Sequence, residues 1–280
     1  MTAETWFITG ASSGLGRAFT EHALARGDNV VATARRVEAL SELAAAAPDR
    51  VLILALDVTQ PEGAKPAIAA ALRRFGRIDV LINNAGYGVV GAFEETPDSE
   101  LRALMETNFF GAMHVIRAAL PALRAQQSGA IVNISSLGGQ LSFAGFSAYS
   151  ASKFAIEGAS EALAQEVAPL GIKVMIVEPG QFRTHLAGPG MRYMPVMEAY
   201  RDVVGATRSF ARAMDGTQDG DPRKAAVAIE TALHAPNTPL RLQLGADAVD
   251  GIRTHSETLL AELSTWEKLA RGTSFGAQIP

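Results

Sequence analysis

Short apolar runs alternate along the chain with longer stretches of helical periodicity. The runs lack the in-and-out alternation of a half-exposed strand, which predicts strands that are buried on both faces. They cover residues 6–9, 29–33, 51–56, 80–83, 130–134, 172–177 and 240–244. Between them, apolar residues recur at helical spacing in residues 15–26, 37–47, 62–75, 98–124, 149–169 and 222–234. Strands that alternate with helices build βαβ units, so the pattern predicts an α/β fold, a doubly wound sheet of about seven parallel strands with helices on both faces.

One region interrupts this alternation. Residues 184–220 contain two Gly-rich turns around a middle that is rich in Met and aromatic side chains. The region follows the sixth strand and therefore lies at the carboxyl edge of the sheet, where open α/β sheets bind ligands. We predict a substrate flap at residues 184–220 and, from the spacing of apolar residues, a helical tail at residues 246–272. No linker divides the chain, so residues 1–280 are predicted to form a single domain.

A glycine-rich turn follows the first predicted strand and opens the first predicted helix. Its glycines permit a tight turn, and the helix N-terminus offers unpaired N–H groups and a partial positive charge to a phosphate. The spacing differs from the G-x-G-x-x-G of the general dinucleotide fingerprint, and an ordinary turn between strand and helix is the alternative. We predict that the turn binds the pyrophosphate of a dinucleotide through Gly10, Ser12, Ser13, Gly14, Leu15 and Gly16.

The end of the second predicted strand indicates which dinucleotide the chain binds. NAD-binding units place Asp or Glu here to accept a hydrogen bond from the ribose 2′-OH, whereas this chain has Ala34. Arg35 and Arg36 follow, and guanidinium groups bind phosphate in a bidentate manner. Two solvated arginines at the start of a helix are the alternative, although cations are unfavourable at that end. The sequence thus predicts NADP(H) as the cofactor.

Tyr149 and Lys153 lie four residues apart at the start of a predicted helix, so both project from one face of it. A free tyrosine has a pKa near ~10, and a nearby ammonium group lowers it toward the range that general acid–base catalysis needs. The same spacing occurs on the surface of many helices. Here, however, Ser136 ends a buried strand shortly before Tyr149, and both lie at the ligand edge of the sheet. We predict that these three residues form a catalytic site.

Taken in order, these features resemble the short-chain dehydrogenase/reductases. The resemblance covers roughly residues 5 to 184 and rests on the glycine turn together with Asp57, Val58, residues 83–86, Asn108, Ser136, Tyr149, Lys153, Pro179 and Gly180. It implies a Rossmann-type fold and an oxidoreductase that transfers a hydride between NADP(H) and a carbonyl or a secondary alcohol. Within the family, the chain is most similar to the NADP-preferring branch that contains hydroxysteroid and retinol dehydrogenases.

The resemblance also implies a role for each catalytic residue. Tyr149 would give a proton to the carbonyl oxygen, or accept it in the reverse direction, while Ser136 polarises that oxygen through a hydrogen bond. Lys153 would hold the ribose next to the nicotinamide and lower the pKa of Tyr149. Asn108 would anchor a water in a proton relay between Lys153 and solvent. By strand alternation Ser135 faces away from Ser136, so only one of them is expected in the site.

Further contacts to the cofactor follow from the same resemblance. They are expected from Asp57, Val58, Asn84, Ala85, Gly86, Pro179, Gly180 and Thr184, in addition to Tyr149 and Lys153. Asn83 is interpreted as mainly structural. The family also implies a homodimer or a homotetramer that pairs through the helices at residues 98–124 and 149–169.

Apolar and aromatic side chains concentrate where the family builds its substrate pocket. We predict a mainly apolar ketone or alcohol, bound by Ser136, Phe143, Tyr149, Phe182 and Tyr193. Two alternatives stay open. In the first, the aromatic residues of the flap are its own core, packed on the sheet regardless of ligand. In the second, the basic residues Arg183, Arg192 and Arg201 bind a charged substrate.

Composition narrows the functions that are compatible with the chain. With 25 Lys and Arg against 29 Asp and Glu, its net charge of −4 provides no basic field for nucleic acid. The chain has no cysteine, and its 5 histidines have no pairing at helical spacing, so no metal site is expected. There is no secretory signal and no apolar run long enough to span a membrane, which predicts a cytoplasmic protein.

An acidic cluster and an alternative function also bear on this interpretation. Glu94, Glu95, Asp98 and Glu100 form an acidic cluster, which is interpreted as the start of a helix, where carboxylates suit the helix dipole. A non-catalytic NADP-binding regulatory protein of the same fold is the alternative function. Such a protein needs none of the catalytic side chains, whereas this chain has all of them.

Overall fold

The structure, a computed structural model, describes residues 3–275. Its strands are β1 (Thr5–Ile8), β2 (Asn29–Ala34), β3 (Val51–Ala55), β4 (Val80–Asn83), β5 (Gly88–Val90), β6 (Gly129–Ile134), β7 (Ile172–Pro179), β8 (Met191–Tyr193) and β9 (Arg241–Leu244). Its α-helices are α1 (Gly14–Arg26), α2 (Ser41–Ala46), α3 (Pro61–Phe75), α4 (Asp98–Met105), α5 (Gly111–Gln126), α6 (Ser147–Val167), α7 (Arg201–Ala213), α8 (Pro222–Leu233) and α9 (Ala246–Arg271).

The main sheet has the strand order β3-β2-β1-β4-β6-β7-β9, and every pairing in it is parallel. The chain first builds outward from β1 to β3 and then returns to place β4 on the other side of β1. The order of the strands therefore reverses between β1 and β4, and in such sheets a crevice opens at the carboxyl ends on either side of this point. The predicted doubly wound parallel sheet is confirmed.

Alternate residues of the strands pack into two apolar layers, one on each face of the sheet. In β1, Trp6 and Ile8 face α1 and α8, whereas Phe7 faces α3 and α5. All three side chains are at most 1% exposed. Burial of a side chain of this size contributes about 1.5–3 kcal/mol. Because helices cover both faces, the strands are apolar at nearly every position, which is the pattern that the sequence shows.

Two of the predicted helices are each divided into two elements in the structure. The helix predicted at residues 98–124 is divided into α4 and α5 by a π-helical turn at Glu106–Phe110. This turn buries Asn108, whose amide binds both backbone groups of Tyr87. The helix predicted at residues 37–47 consists of a 3₁₀ turn at Val37–Leu40 followed by the short α2.

Residues 184–220, the flap segment, contain two elements that the sequence did not predict, β8 and α7. Strand β8 pairs in parallel with β5, and the two form a small sheet apart from the main one. Each has only three residues, which is too short for a clear strand pattern. The pairing joins the middle of the flap segment to the loop that follows β4.

A buried ion pair is the second connection that holds the flap segment in place, and it joins α7 to the loop between β5 and α4. Arg208 of α7 donates to Glu95 at 2.7 Å, and their side chains are only 6% and 0% exposed. Glu95 also accepts from the backbone N–H groups of Ala92 and Met197, at 2.6 and 2.8 Å. Burial raises the pKa of Glu95, but Arg208 and these N–H groups outweigh it, so the pKa lies below its usual value. The interpretation of Glu95 as part of a helix start was wrong, whereas Asp98 and Glu100 do lie in the first turn of α4.

The predicted helical tail is present as α9. Ala248 in its first turn is buried, while further along Leu260, Leu263 and Trp266 are 62–64% exposed. Helical spacing of apolar residues therefore predicted the element but not its burial. Within residues 3–275 no helix is long and apolar enough to cross a membrane.

The substitution Glu95→Gln should destabilise the protein strongly, because it leaves the guanidinium of Arg208 buried without its counter-charge. We expect the free energy of unfolding in urea to fall by about 3–5 kcal/mol. The matched control is Asp98→Asn, which breaks a pair with Arg102 whose side chains are 73% and 76% exposed. This control should cost less than about 1 kcal/mol. Similar small losses for both variants would show that the buried pair does not hold the flap segment in place.

Candidate active site

The turn between β1 and α1 can form only with glycine at certain positions. Gly10 and Gly14 have positive φ angles of 64° and 56°. A Cβ on Gly16 would lie 2.3 Å from the carbonyl oxygen of Gly10, so the backbones approach too closely for a side chain. The residue before the helix, Ser13, makes no side-chain hydrogen bond to the helix N-terminus, and the first turn carries no acidic residue. The N–H groups of this turn are therefore suited to an anion.

A cleft of about 940 Å³ runs along the carboxyl edge of the sheet from this turn. Of the residues predicted to bind the cofactor, only Gly16 does not line the cleft. It lies behind the surface of the cleft and packs against Gly10. The others line the cleft: Gly10, Ser12, Ser13, Gly14, Leu15, Arg35, Arg36, Asp57, Val58, Asn84, Ala85, Gly86, Tyr149, Lys153, Pro179, Gly180 and Thr184. The structure therefore brings together residues from six separate parts of the chain.

The residues after β4 support the glycine turn as well as lining the cleft. The side-chain amide of Asn84 donates to the carbonyl oxygens of Thr9 and Gly10, at 3.0 and 3.1 Å. The hydroxyl of Thr9 accepts from the N–H groups of Asn84 and Ala85. Asn83 donates to Asn133 at 2.8 Å across the neighbouring strands. Thr9 was not among the predicted site residues, although it is the first residue of the predicted turn.

The end of β2 presents two cations to the cleft. Ala34 is buried at 5% exposure, so no carboxylate stands there, while Arg35 and Arg36 are exposed and line the cleft. Neither arginine forms an ion pair with another residue of the described chain. Asp57, after β3, accepts from the backbone and hydroxyl of Thr59, at 3.0 and 2.8 Å. Part of its carboxylate is thus used to close its own turn.

Ser136, Tyr149 and Lys153 meet at the middle of the cleft. Ser136 is the second residue after β6, and its hydroxyl accepts from the N–H of Gly138 at 3.0 Å. Lys153 lies one turn after Tyr149 on α6 and donates from Nζ to the carbonyl oxygen of Ile134 at 2.8 Å. A Cβ on Gly138 would lie 3.2 Å from the ring of Tyr149, so the serine loop packs directly against the tyrosine.

The pKa values of this group differ from the sequence-based expectation. Burial raises the pKa of Tyr149, and a hydrogen bond with Ser136 opposes the rise only in part. Burial lowers the pKa of Lys153 to about 8, against the negative charge of Glu157. The prediction that Lys153 lowers the pKa of Tyr149 is therefore not met in this structure. The reason is geometric, because Nζ is directed at Ile134 and lies 5.8 Å from the centre of the tyrosine ring.

Asn108 lies behind the catalytic group and does not line the cleft. Its amide donates to the carbonyl oxygen of Tyr87 and to the hydroxyl of Ser152, at 3.0 and 3.1 Å. Ser152 in turn donates to the backbone carbonyl of Tyr149 at 2.7 Å. Asn108 thus connects the loop after β4 with the first turn of α6. The π-helical turn that aims it inward is a feature often found at functional sites.

The turn after β7 is held by a residue that the sequence did not indicate. Asp247 accepts from the N–H of Gln181 at 2.8 Å. A Cβ on Gly180 would lie 2.2 Å from the same carboxylate, which explains the glycine. Thr184 packs against Gly14, with its Cβ only 3.1 Å from where a Cβ on that glycine would be. The two ends of the predicted cofactor site are therefore in contact.

Of the predicted substrate residues, Ser136, Tyr149 and Phe182 line the cleft. Phe143 is 53% exposed outside it, and Tyr193 packs under the guanidinium of Arg212, which is 4.7 Å from the ring centre. Both positions differ from the prediction: Tyr193 lies in β8 of the flap segment and Phe143 in the loop before α6, and neither side chain lines the cleft.

The three arginines considered for a charged substrate are each engaged with other groups. Arg183 donates twice to the carbonyl oxygen of Gln218, at 2.8 and 3.0 Å. Arg192 pairs with Glu100 at 2.9 Å, and Arg201 pairs with Glu198. Among the residues that the structure describes, no three His, Asp or Glu side chains are arranged to hold a metal ion.

Comparison with known proteins places this site in a family. The short-chain dehydrogenase family matches residues 4–191 of the chain. An oxidoreductase, BOA17, from Botryotinia fuckeliana is 43% identical over 266 residues, which cover 95% of this chain and 97% of that protein. The 3-ketodihydrosphingosine reductase of Bacteroides thetaiotaomicron is 37% identical over 259 residues, covering 88% of this chain and 89% of that protein.

Solved structures give the same result. A short-chain dehydrogenase from Streptomyces avermitilis has a TM-score of 0.93 at 55% identity, covering 98% of this chain and 100% of that one. One from Burkholderia cenocepacia, in complex with NADP, has a TM-score of 0.72 at 29% identity, covering 94% and 97%. The chain therefore belongs to the short-chain dehydrogenase family and is an oxidoreductase that uses a nicotinamide cofactor. None of these four proteins is named for the hydroxysteroid and retinol branch, which stays a prediction.

The glycine turn can be tested with two alanine variants. Gly16→Ala should weaken NADPH binding at least tenfold, about 1.4 kcal/mol, because its Cβ would collide with the backbone of Gly10. The control is Gly205→Ala in α7, where a Cβ would meet nothing within 4 Å. This control should leave binding unchanged and stabilise the fold by up to about 1 kcal/mol. Fluorescence titration of NADPH with thermal unfolding measures both effects, and equal binding by the two variants would contradict the role of the turn.

Proposed function

We propose that this protein transfers a hydride between NADP(H) and a carbonyl or a secondary alcohol. The observation that carries the proposal is the meeting of Ser136, Tyr149 and Lys153 at the centre of the cleft that starts at the glycine turn. When bound, the nicotinamide supplies or accepts the hydride. Ser136 donates a hydrogen bond to the substrate oxygen, and Tyr149 gives that oxygen a proton as the carbonyl becomes an alcohol.

The protonation state of Tyr149 favours the reductive direction. Since burial raises its pKa above the ordinary ~10, the phenol is protonated at neutral pH and ready to donate. Oxidation would require the phenolate, which needs a cation nearby. We propose that Lys153 provides this charge and holds the ribose hydroxyls, and that Asn108 anchors the water through which the tyrosine regains its proton.

The residues of the cleft fit NADP(H) better than NAD(H). The glycine turn offers uncapped N–H groups to a pyrophosphate, and Arg35 and Arg36 extend from the end of β2 without another counter-ion in the described chain. Ala34 offers no acceptor to a ribose 2′-OH. We propose that the two arginines bind a 2′-phosphate, since guanidinium groups match its geometry.

We further propose an apolar ketone as the substrate, covered by the flap segment. Phe182, Leu186 and Pro189 line the cleft on this side. Arg192 also lines it, but its charge is paired with Glu100, and Arg183 donates to Gln218, which disfavours a charged substrate. The relative named for 3-ketodihydrosphingosine reduction supports a ketone with a long apolar chain. A homodimer or a homotetramer is supported by Phe110 and Phe154, which are 40% and 47% exposed on the elements expected to pair.

The alternative is a regulatory protein of the same fold that binds NADP without turnover. It is disfavoured because a binding protein has no need for Ser136, Tyr149 and Lys153 at one point of the cleft. The two functions differ in what they require of Tyr149, which is essential only to the enzyme.

The substitution Tyr149→Phe should lower kcat about 10²- to 10⁴-fold, because the site loses its proton donor. NADPH binding should stay nearly unchanged, since the ring keeps its packing. The measurement is NADPH consumption with a panel of long-chain and small charged ketones, together with NADPH titration. As the control, Tyr200→Phe removes an exposed phenol that donates to Glu94 at 2.7 Å and should leave kcat unchanged. A Tyr149→Phe variant that keeps more than about a hundredth of the activity would contradict the proposal.

Cofactor preference should follow the 2′-phosphate contact. In the double variant Ala34→Asp with Arg35→Ser, NADPH binding should weaken by roughly 1.5–3 kcal/mol, and NADH binding should improve. Arg253→Ser, which removes an exposed cation from α9, is the control and should change neither affinity. If the unaltered protein binds NADH as tightly as NADPH, the assignment of Arg35 and Arg36 is wrong.

A further inference from the structure

Two carboxyl groups are buried behind the catalytic residues. Glu157 lies one helical turn after Lys153 on α6, and Glu178 lies in β7 directly before Pro179. Their side chains are only 5% and 0% exposed. Buried carboxylates are costly unless they are paired or protonated, so the surroundings of these two groups need an explanation.

The two carboxyl groups share the same hydrogen-bond donors. The amide of Gln140 donates to Glu157 Oε2 at 3.0 Å and to Glu178 Oε1 at 3.1 Å. Arg241 Nε lies 3.1 and 3.2 Å from the same two oxygens. The two carboxyl groups are also close enough to form a hydrogen bond with each other. Two negative charges at such a distance repel strongly, which favours a state in which the pair retains one proton.

The charges around the pair are too few to stabilise both carboxylates. Arg241 of β9 is the nearest cation, but it also binds the exposed Glu161 of α6 at 2.9 Å. The cation of α6, Lys153, is itself directed at Ile134. The other neighbours, Ser135, Gln140 and Gln243, are uncharged. Burial, together with the negative charge of Glu157, raises the pKa of Glu178 to about 7.

The pair is joined to the catalytic serine loop. Gln140 ends the 3₁₀ turn that follows Ser136, and its N–H donates to Leu137 at 3.1 Å. The backbone of this loop lies directly on Glu157, because a Cβ on Gly139 would come within 2.9 Å of Glu157 Oε1. Gln140 therefore connects the loop to α6 and β7 at one point.

We propose that Glu157 and Glu178, holding one shared proton, are positioning residues that fix the Ser136 loop against the helix carrying Tyr149 and Lys153. Loss of the shared proton leaves two adjacent negative charges, which separate and release Gln140. The loop then loosens, and Ser136 moves relative to Tyr149. This inference rests on the proposed reductase function for its effect on turnover.

The proposal predicts that the pH dependence of kcat follows the titration of the Glu157–Glu178 pair. In the wild type kcat should fall as pH rises through about 7, where Glu178 loses its proton. Glu178→Gln imitates the protonated carboxyl, so its kcat at low pH should equal that of the wild type. In this variant the fall of kcat at high pH should move up to about pH 8, where Lys153 loses its proton. Glu178→Ala should lower kcat about 10- to 100-fold at every pH with little change in the KM for NADPH, because the loop loses its anchor.

The test compares the pH profiles of kcat and KM for these variants with that of Glu166→Gln. This control removes an exposed carboxylate of the same helix that forms no ion pair within residues 3–275, and its profile should match the wild type. A Glu178→Gln profile identical to the wild type would overturn the proposal. So would a loss of activity in Glu178→Gln equal to that in Glu178→Ala at every pH.

A second measurement requires no turnover and separates this inference from the proposed function. A carboxyl whose pKa is raised by folding contributes stability below its unfolded pKa, and this is lost as pH rises through the folded pKa. The free energy of unfolding in urea should therefore fall between about pH 4.5 and about pH 7 in the wild type, and less so in Glu178→Gln. Equal slopes would contradict the shared proton, whereas a wild type that binds NADPH without reducing any ketone would contradict the proposed function.

Discussion

Every strand of the main sheet runs in the same direction, so all its carboxyl ends lie along one edge. The loops that leave these ends have to meet there, however far apart they are in sequence. Gly10, Arg35, Asn84, Ser136 and Gly180 each lie within two residues of the end of a strand, and each lines the cleft. The site is therefore a consequence of parallel pairing, because an antiparallel sheet would send alternate loops to opposite edges.

The cleft has its shape because backbones approach one another closely at a few points. Gly16 contacts Gly10, and Gly139 contacts Glu157, at separations that exclude a Cβ. Elsewhere, hydrogen bonds from buried side chains set the distances between the segments that line the cleft. The most important is the bond from Lys153 to the carbonyl oxygen of Ile134. This bond places the start of α6 over the end of β6 and so brings Tyr149 to Ser136. Catalytic geometry here depends on packing as much as on the catalytic groups themselves.

The sequence predicted the features that depend on local pattern. Buried strands appear as continuous apolar runs, and the glycine turn requires glycine wherever it occurs, so both can be recognised from the local sequence alone. The pairing of β5 with β8 cannot be recognised in this way, because each strand has three residues and the two are about a hundred residues apart. The pair of Glu95 with Arg208 is equally non-local, and Glu95 alone resembles a helix start. The raised pKa of Tyr149 depends on the burial of its ring, which only tertiary packing decides.

The central claim is that Tyr149 protonates a ketone while NADPH reduces it. The most direct test uses NADPH that carries deuterium as its transferable hydrogen. Mass spectrometry then measures how much deuterium appears in the alcohol formed from a long-chain ketone. The account predicts that the alcohol formed by the wild type carries the label on its carbinol carbon. In Tyr149→Phe labelled alcohol should be nearly absent while NADPH still binds. Binding of NADPH by the wild type without labelled alcohol from any ketone of the panel would contradict the account.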